Sequence, residues 1–154
     1  MDANYAKLRM CSQVLANQKR RPMKILIVFD KDLEIDKDEI FEYLKNKTNH
    51  IEFGLYSESI DFRKKYLSYP STFEVIEPQL KSNFNSYSHI FCFTDKPYED
   101  NYFFHERNRI SIYTFYDWSS LTNLPKTNGL LYGLLNYLAL HIDGTGFRHH
   151  EETQ

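Results

Sequence analysis

The chain has 154 residues, of which 26% are charged, and a net charge of −2. That is single-domain length, enough to bury a substantial core, and no overall field favours nucleic acid or an anionic membrane surface. Cys11 and Cys92 make no disulfide framework, so the cytoplasm is the default compartment. The longest apolar stretch, Leu130 to Ile142, is too short to span a bilayer, and no signal-peptide core precedes it.

Residues 1–22 read as a helical appendage. Leu8, Cys11, Val14 and Leu15 recur at helical spacing, and Lys19-Arg20-Arg21-Pro22 punctuates the segment. Three basic residues in a row read as a solvated linker before they read as a nucleic-acid patch. Met23-Lys24 then runs straight into a strand, as translation starts do, which makes Met23 a candidate native start.

Residues 23–143 carry the α/β pattern. Lys24-Ile-Leu-Ile-Val-Phe-Asp30 is five apolar residues ending on an acid, the signature of a strand covered on both faces of a parallel sheet. Asp36 and Glu39 have capping-box spacing, and Ile40, Phe41 and Leu44 supply one apolar helix face. Ile51, Phe53 and Leu55 alternate, as in a half-covered or edge strand. Residues 61–69 are expected to be helical, stopping before Pro70. A turn at Glu77-Pro78 should precede a helix carrying Leu80 and Phe84.

His89-Ile-Phe-Cys-Phe-Thr94 is the second strong strand, with Cys92 as a small core residue. An aromatic-rich loop, residues 97–108, follows, and Arg109 to Phe115 form the next strand. Thr127 to Asp143 read as a closing helix apolar nearly all round, hence buried on more than one side by the first helix or by a second copy of the chain. Gly129 and Gly133 on it permit close packing. Residues 144–154 read as a polar flexible tail; its His and acidic residues match no established metal spacing.

Strands separated by helices imply a mainly parallel sheet of four or five strands in a three-layer Rossmann-like or flavodoxin-like sandwich. Ligands of such sheets bind beyond the strand carboxyl ends. The candidate rim is therefore Asp30, Asp32, Glu58, Thr94, Asp95, Tyr98, Asp117 and Trp118. Acids in these places also serve as helix caps and turn formers. Twelve Tyr and twelve Phe either line a binding surface or reflect A/T-rich coding.

The pairing of strand–Asp30-x-Asp32 with strand–Thr94 resembles phosphotransfer enzymes of the haloacid-dehalogenase type. There the first Asp is the nucleophile, the second the acid/base, and the Thr holds phosphate. The likeness covers about ten residues, and it departs at Leu33, in the lack of a later Asp-Asp pair, and in chain length. It implies a Mg²⁺-dependent hydrolase or phosphotransferase using Asp30, Asp32, Thr94 and Asp95. No Gly-rich turn follows the first strand, which disfavours dinucleotide and P-loop binding, and no nucleophile elbow or zinc-protease helix occurs.

With no intact catalytic constellation, the favoured expectation is a non-catalytic ligand-binding or regulatory module with no cofactor. It would recognise a small molecule, such as a nucleotide, or a protein partner at the strand carboxyl edge.

Overall fold

The computed structural model describes residues 23–45 and 51–142, with side chains as far as residue 138. The appendage expected over 1–22 and the tail expected over 144–154, with Cys11 and the terminal histidines, lie outside the described residues.

Helices and strands alternate around a five-stranded, mostly parallel sheet in the order β2-β1-β3-β5-β4. The strands are β1 (Met23–Phe29), β2 (Ile51–Leu55), β3 (His89–Thr94), β4 (Phe104–Arg107) and β5 (Ile110–Thr114). The helices are α1 (Lys37–Lys45), α2 (Ser71–Leu80), the single turn α3 (Trp118–Leu121) and α4 (Lys126–Ile142), with a 3-10 segment at Lys81–Asn85. β2, β1, β3 and β5 run parallel, and β4 pairs antiparallel with β5.

The run Ile25 to Phe29 is buried throughout, because β1 lies between β2 and β3 and both its faces are covered. Strand alternation sorts its side chains. Ile25, Ile27 and Phe29 join Phe91, Phe93 and Phe115 in one core, with Ile40 and Leu44 of α1 and Leu130, Leu134 and Tyr137 of α4. Leu26 and Val28 join Ile90, Cys92, Ile110 and Ile112 in a second core, with Phe73, Ile76 and Leu80 of α2. β2 is an edge strand whose Ile51, Phe53 and Leu55 pack on the first core, as the alternation predicts. The α1 cap also forms, the Glu39 N–H donating to Asp36 Oδ1 at 3.0 Å.

Three expectations are corrected. Residues 61–69 are not a helix. Asp61 Oδ1 accepts from the Arg63 N–H at 2.8 Å and Arg63 adopts φ 58°, a local turn that competes with helix formation. Leu67 then pairs with Tyr98 in an isolated bridge.

No turn breaks the chain at Glu77-Pro78; Pro78 lies inside α2. The burial of Phe73, Ile76 and Leu80 on one stripe holds the helix past the hydrogen bond that proline forfeits.

The loop expected over 97–108 contains β4, closed onto β5 by a tight turn in which Asn108 takes φ 56°. Among the described side chains of α4, Leu130, Leu134, Tyr137 and Leu138 are inside, whereas Tyr132 and Leu135 are exposed; the first helix expected to cover α4 lies outside the described residues. Among the described residues no helix is long and apolar enough to cross a membrane.

Candidate functional site

Chain order reverses between β1 and β3, since β1 leads to β2 on one side while β3 lies on the other. In open α/β sheets this switch point is where ligand sites form, at the strand carboxyl ends. Asp30 and Thr94 end the two strands there. Asp30 is fully buried and its Oδ2 accepts from the Thr94 hydroxyl at 2.5 Å.

Lys96 completes this cluster. Its ammonium lies 3.5 Å from Asp30 Oδ2, 3.3 Å from Asp32 Oδ2 and 3.9 Å from Asp61 Oδ1. Asp61 arrives because the chain beyond β2 returns to the sheet. Ile60 bridges to Asp30, with the Lys31 N–H donating to the Ile60 carbonyl at 2.9 Å. Lys31 in turn pairs with Asp61 at 2.8 Å. That hydrogen bond, with the one from the Arg63 N–H, holds the Asp61 carboxyl below its usual range; the same bond raises Lys31.

A second arrangement lies along the same edge. Asp95 engages neither Asp30 nor Lys96: its Oδ2 accepts from Lys126 Nζ at 2.7 Å, at the start of α4. The alternation of an extended chain explains the division, with residues 94 and 96 meeting Asp30 and residue 95 meeting α4. Asp95, Lys126 and the segment from Phe115 to Pro125 line a cavity of about 530 Å³, well within the range of small-molecule sites. Asp95 Oδ1 is buried and has no hydrogen-bond partner in the structure.

Trp118 forms a fixed wall of this cavity. Its Nε1–H donates to the Leu124 carbonyl at 2.6 Å, and its ring meets Phe115 edge-on with centroids 5.8 Å apart. The far edge of the indole lies over Gly129, where a Cβ would come within 2.6 Å of Trp118 Cη2 and 2.9 Å of Phe115 Cε1. Gly129 therefore admits the indole rather than a neighbouring helix. Asp117 precedes the α3 turn at φ 58°, and its Oδ1 accepts from the Ser120 hydroxyl. Tyr116 is exposed at the cavity.

The sequence-derived rim thus divides. Asp30, Asp32 and Thr94 come together, while Asp95, Asp117 and Trp118 line the cavity. Glu58 is exposed on the loop after β2. Tyr98 is buried in the second core, and burial raises its phenol well above the ordinary value. Sequence reasoning missed Lys96 and Lys126, the cations that neutralise these acids.

Among the described residues no group of three or more His, Cys, Asp or Glu side chains is arranged to hold a metal. The Lys96 ammonium instead sits among the carboxylates of Asp30, Asp32 and Asp61. Comparisons with protein-family models, curated proteins and solved structures return no match.

Proposed function

We propose that this chain is a non-catalytic small-molecule-binding module, regulatory in character, whose ligand occupies the cavity between Asp95, Trp118 and Lys126. The observation that carries the reading is a cavity of about 530 Å³ with a wall locked in place. Trp118 is held through its N–H and packed over a glycine, and beside it Asp95 keeps a buried acceptor without a partner. Such preorganisation lets a ligand bind without first ordering the site.

The Rossmann-like or flavodoxin-like layering belongs to the same proposal. The strand order begins 2-1-3 as in the flavodoxin-like arrangement, and the last two strands exchange places because they form a hairpin. The cytoplasmic setting rests on cysteine usage.

A second reading, a Mg²⁺-dependent hydrolase or phosphotransferase, draws on the convergence of Asp30, Asp32 and Thr94. Against it stand the ammonium of Lys96 among those carboxylates and the diversion of Asp95 to Lys126. A protein partner remains the alternative to a small ligand at the same edge.

Trp118 is the only tryptophan of the chain, so its emission reports on this cavity alone. We expect a panel of amines, nucleosides, nucleotides and divalent metals to contain a compound that changes Trp118 emission, raises the melting temperature, and is not turned over. A ligand at ~100 times its dissociation constant stabilises by about 2.7 kcal/mol. Stabilisation by Mg²⁺ without a Trp118 response, lost in Asp30→Asn, would favour the enzyme instead. Silence in both readouts would remove the small-molecule reading.

A further inference from the structure

We infer that the cavity selects an organic cation, an amine carried on an apolar or aromatic body, and rejects phosphorylated ligands. This rests on the cavity being the binding site, and it narrows what that site accepts.

The inference comes from the state of each charged group. Among the described lining residues Lys126 is the single cation, against Asp95 and Asp117. The Lys126 ammonium is already engaged by Asp95 at 2.7 Å. An arriving phosphate would find its one counter-charge occupied by Asp95 and a further carboxylate, the exposed Asp117, in the lining.

The neighbouring cluster gives no relief. There the ammonium groups of Lys31 and Lys96 face three carboxylates, Asp30, Asp32 and Asp61.

What remains available in the cavity is an exposed carboxylate and π surface. Asp117 lines the cavity and is exposed, whereas Asp95 Oδ1, though without a donor, is buried. Trp118 has spent its N–H on the Leu124 carbonyl, so the indole contributes its ring rather than a hydrogen-bond donor. Tyr116 adds a second aromatic surface. Aromatic faces attract ammonium groups, and a nearby carboxylate strengthens the preference. An amine meets these features together; a nucleotide gains the stacking and loses on the charge.

The test uses one ring carrying three charges: 2-phenylethylamine, 2-phenylethanol and 3-phenylpropionate, titrated against Trp118 emission in the full chain. The amine should bind about ten-fold more tightly than the alcohol, with the carboxylate weakest. Added salt should shrink that gap. Asp117→Asn should cut the amine-over-alcohol preference several-fold. Asparagine tolerates the positive φ at this position, so the fold should survive the change.

Equal binding of amine and alcohol, or tightest binding by the carboxylate, overturns the inference and leaves the cavity as a ligand site. The same holds if nucleosides or nucleotides move Trp118 and the amine does not. If no compound of either set moves Trp118, the proposed function falls with it.

Discussion

Two polar groupings share the carboxyl edge of one sheet, and they differ in what they leave over. Around Asp30, the Thr94 hydroxyl and the Lys96 ammonium satisfy a buried carboxylate, and Asp32 and Asp61 close round the same ammonium. That grouping ties the end of β1, the end of β3 and the return loop after β2 into one unit. Around Trp118 the rigid parts are aromatic and backbone, an open volume remains, and an acceptor on Asp95 has no donor. Polar groups that satisfy one another hold a chain together; a preformed cavity with aromatic walls and an exposed carboxylate, Asp117, is what a ligand can use.

The strongest way to break this comparison is Asp30→Ala. It strands the Thr94 hydroxyl and removes the buried partner of Lys96, itself only 17% exposed. Removing one member of a buried charged pair costs about 3 kcal/mol or more, and urea unfolding should show that loss with an unchanged slope. Trp118 emission in the folded variant should stay as it is in the parent. A loss below ~1 kcal/mol, the size of a surface pair, would mean that the cluster does not hold the fold, and would return Asp30 to candidacy as a functional carboxylate.

Gly129→Ala makes the reverse intervention, at the cavity wall. The new Cβ would meet the Trp118 ring at 2.6 Å and Phe115 at 2.9 Å, so the indole must shift. Overpacking of this kind costs ~1–3 kcal/mol, offset by ~1 kcal/mol of helix propensity. The net loss should be about 1 kcal/mol, with altered Trp118 emission and weaker amine binding. Gly133→Ala is the control on the same helix. Its Cβ would lie 3.0 Å from the Tyr113 ring, which is tight but less severe, and it should leave Trp118 emission alone. Equal effects of the two alanines would show that the wall is not positioned by Gly129.

The sequence disclosed these two regions unequally. β1, β3 and β5 are legible because interior parallel strands need unbroken apolar runs, and Asp30 and Thr94 are found simply as the residues that end them. The α1 cap is legible because Asp36 and Glu39 act within one turn. What escapes depends on distant partners. Lys96 stands in Asp95-Lys96-Pro97, which reads as a turn, and only the neighbouring strand shows that its ammonium meets three carboxylates. Asp95 sits one residue from Thr94 and yet belongs to the other region, a consequence of strand alternation that a list of rim acids cannot express. β4 hides because Phe-His-Glu-Arg has no continuous apolar run, its pairing being set by the hairpin with β5. Gly129 reads as a helix-packing residue until the indole is seen lying on it.

The smallest expected effect separates the buried and exposed parts of the Asp30 cluster by pH. Hydrogen bonds from Lys31 and then from the Arg63 N–H keep the Asp61 carboxyl below its ordinary range in the folded chain. A depressed carboxyl stabilises the fold above its unfolded pKa, about 3.9 for aspartate, and that contribution is lost as pH falls through the lower folded value. Lys31, raised first by its hydrogen bond to Asp61, contributes below its unfolded value and loses that contribution as pH rises through the folded one. The pair therefore acts across the whole neutral range and disappears at both extremes. Asp61→Asn should lower the melting temperature slightly near neutrality and converge with the parent in strong acid. Because Lys31 and Asp61 are exposed, the difference should also shrink with salt. A gap between variant and parent that stays constant down through the acid limb would mean that Asp61 acts through its turn with Arg63 rather than through its charge.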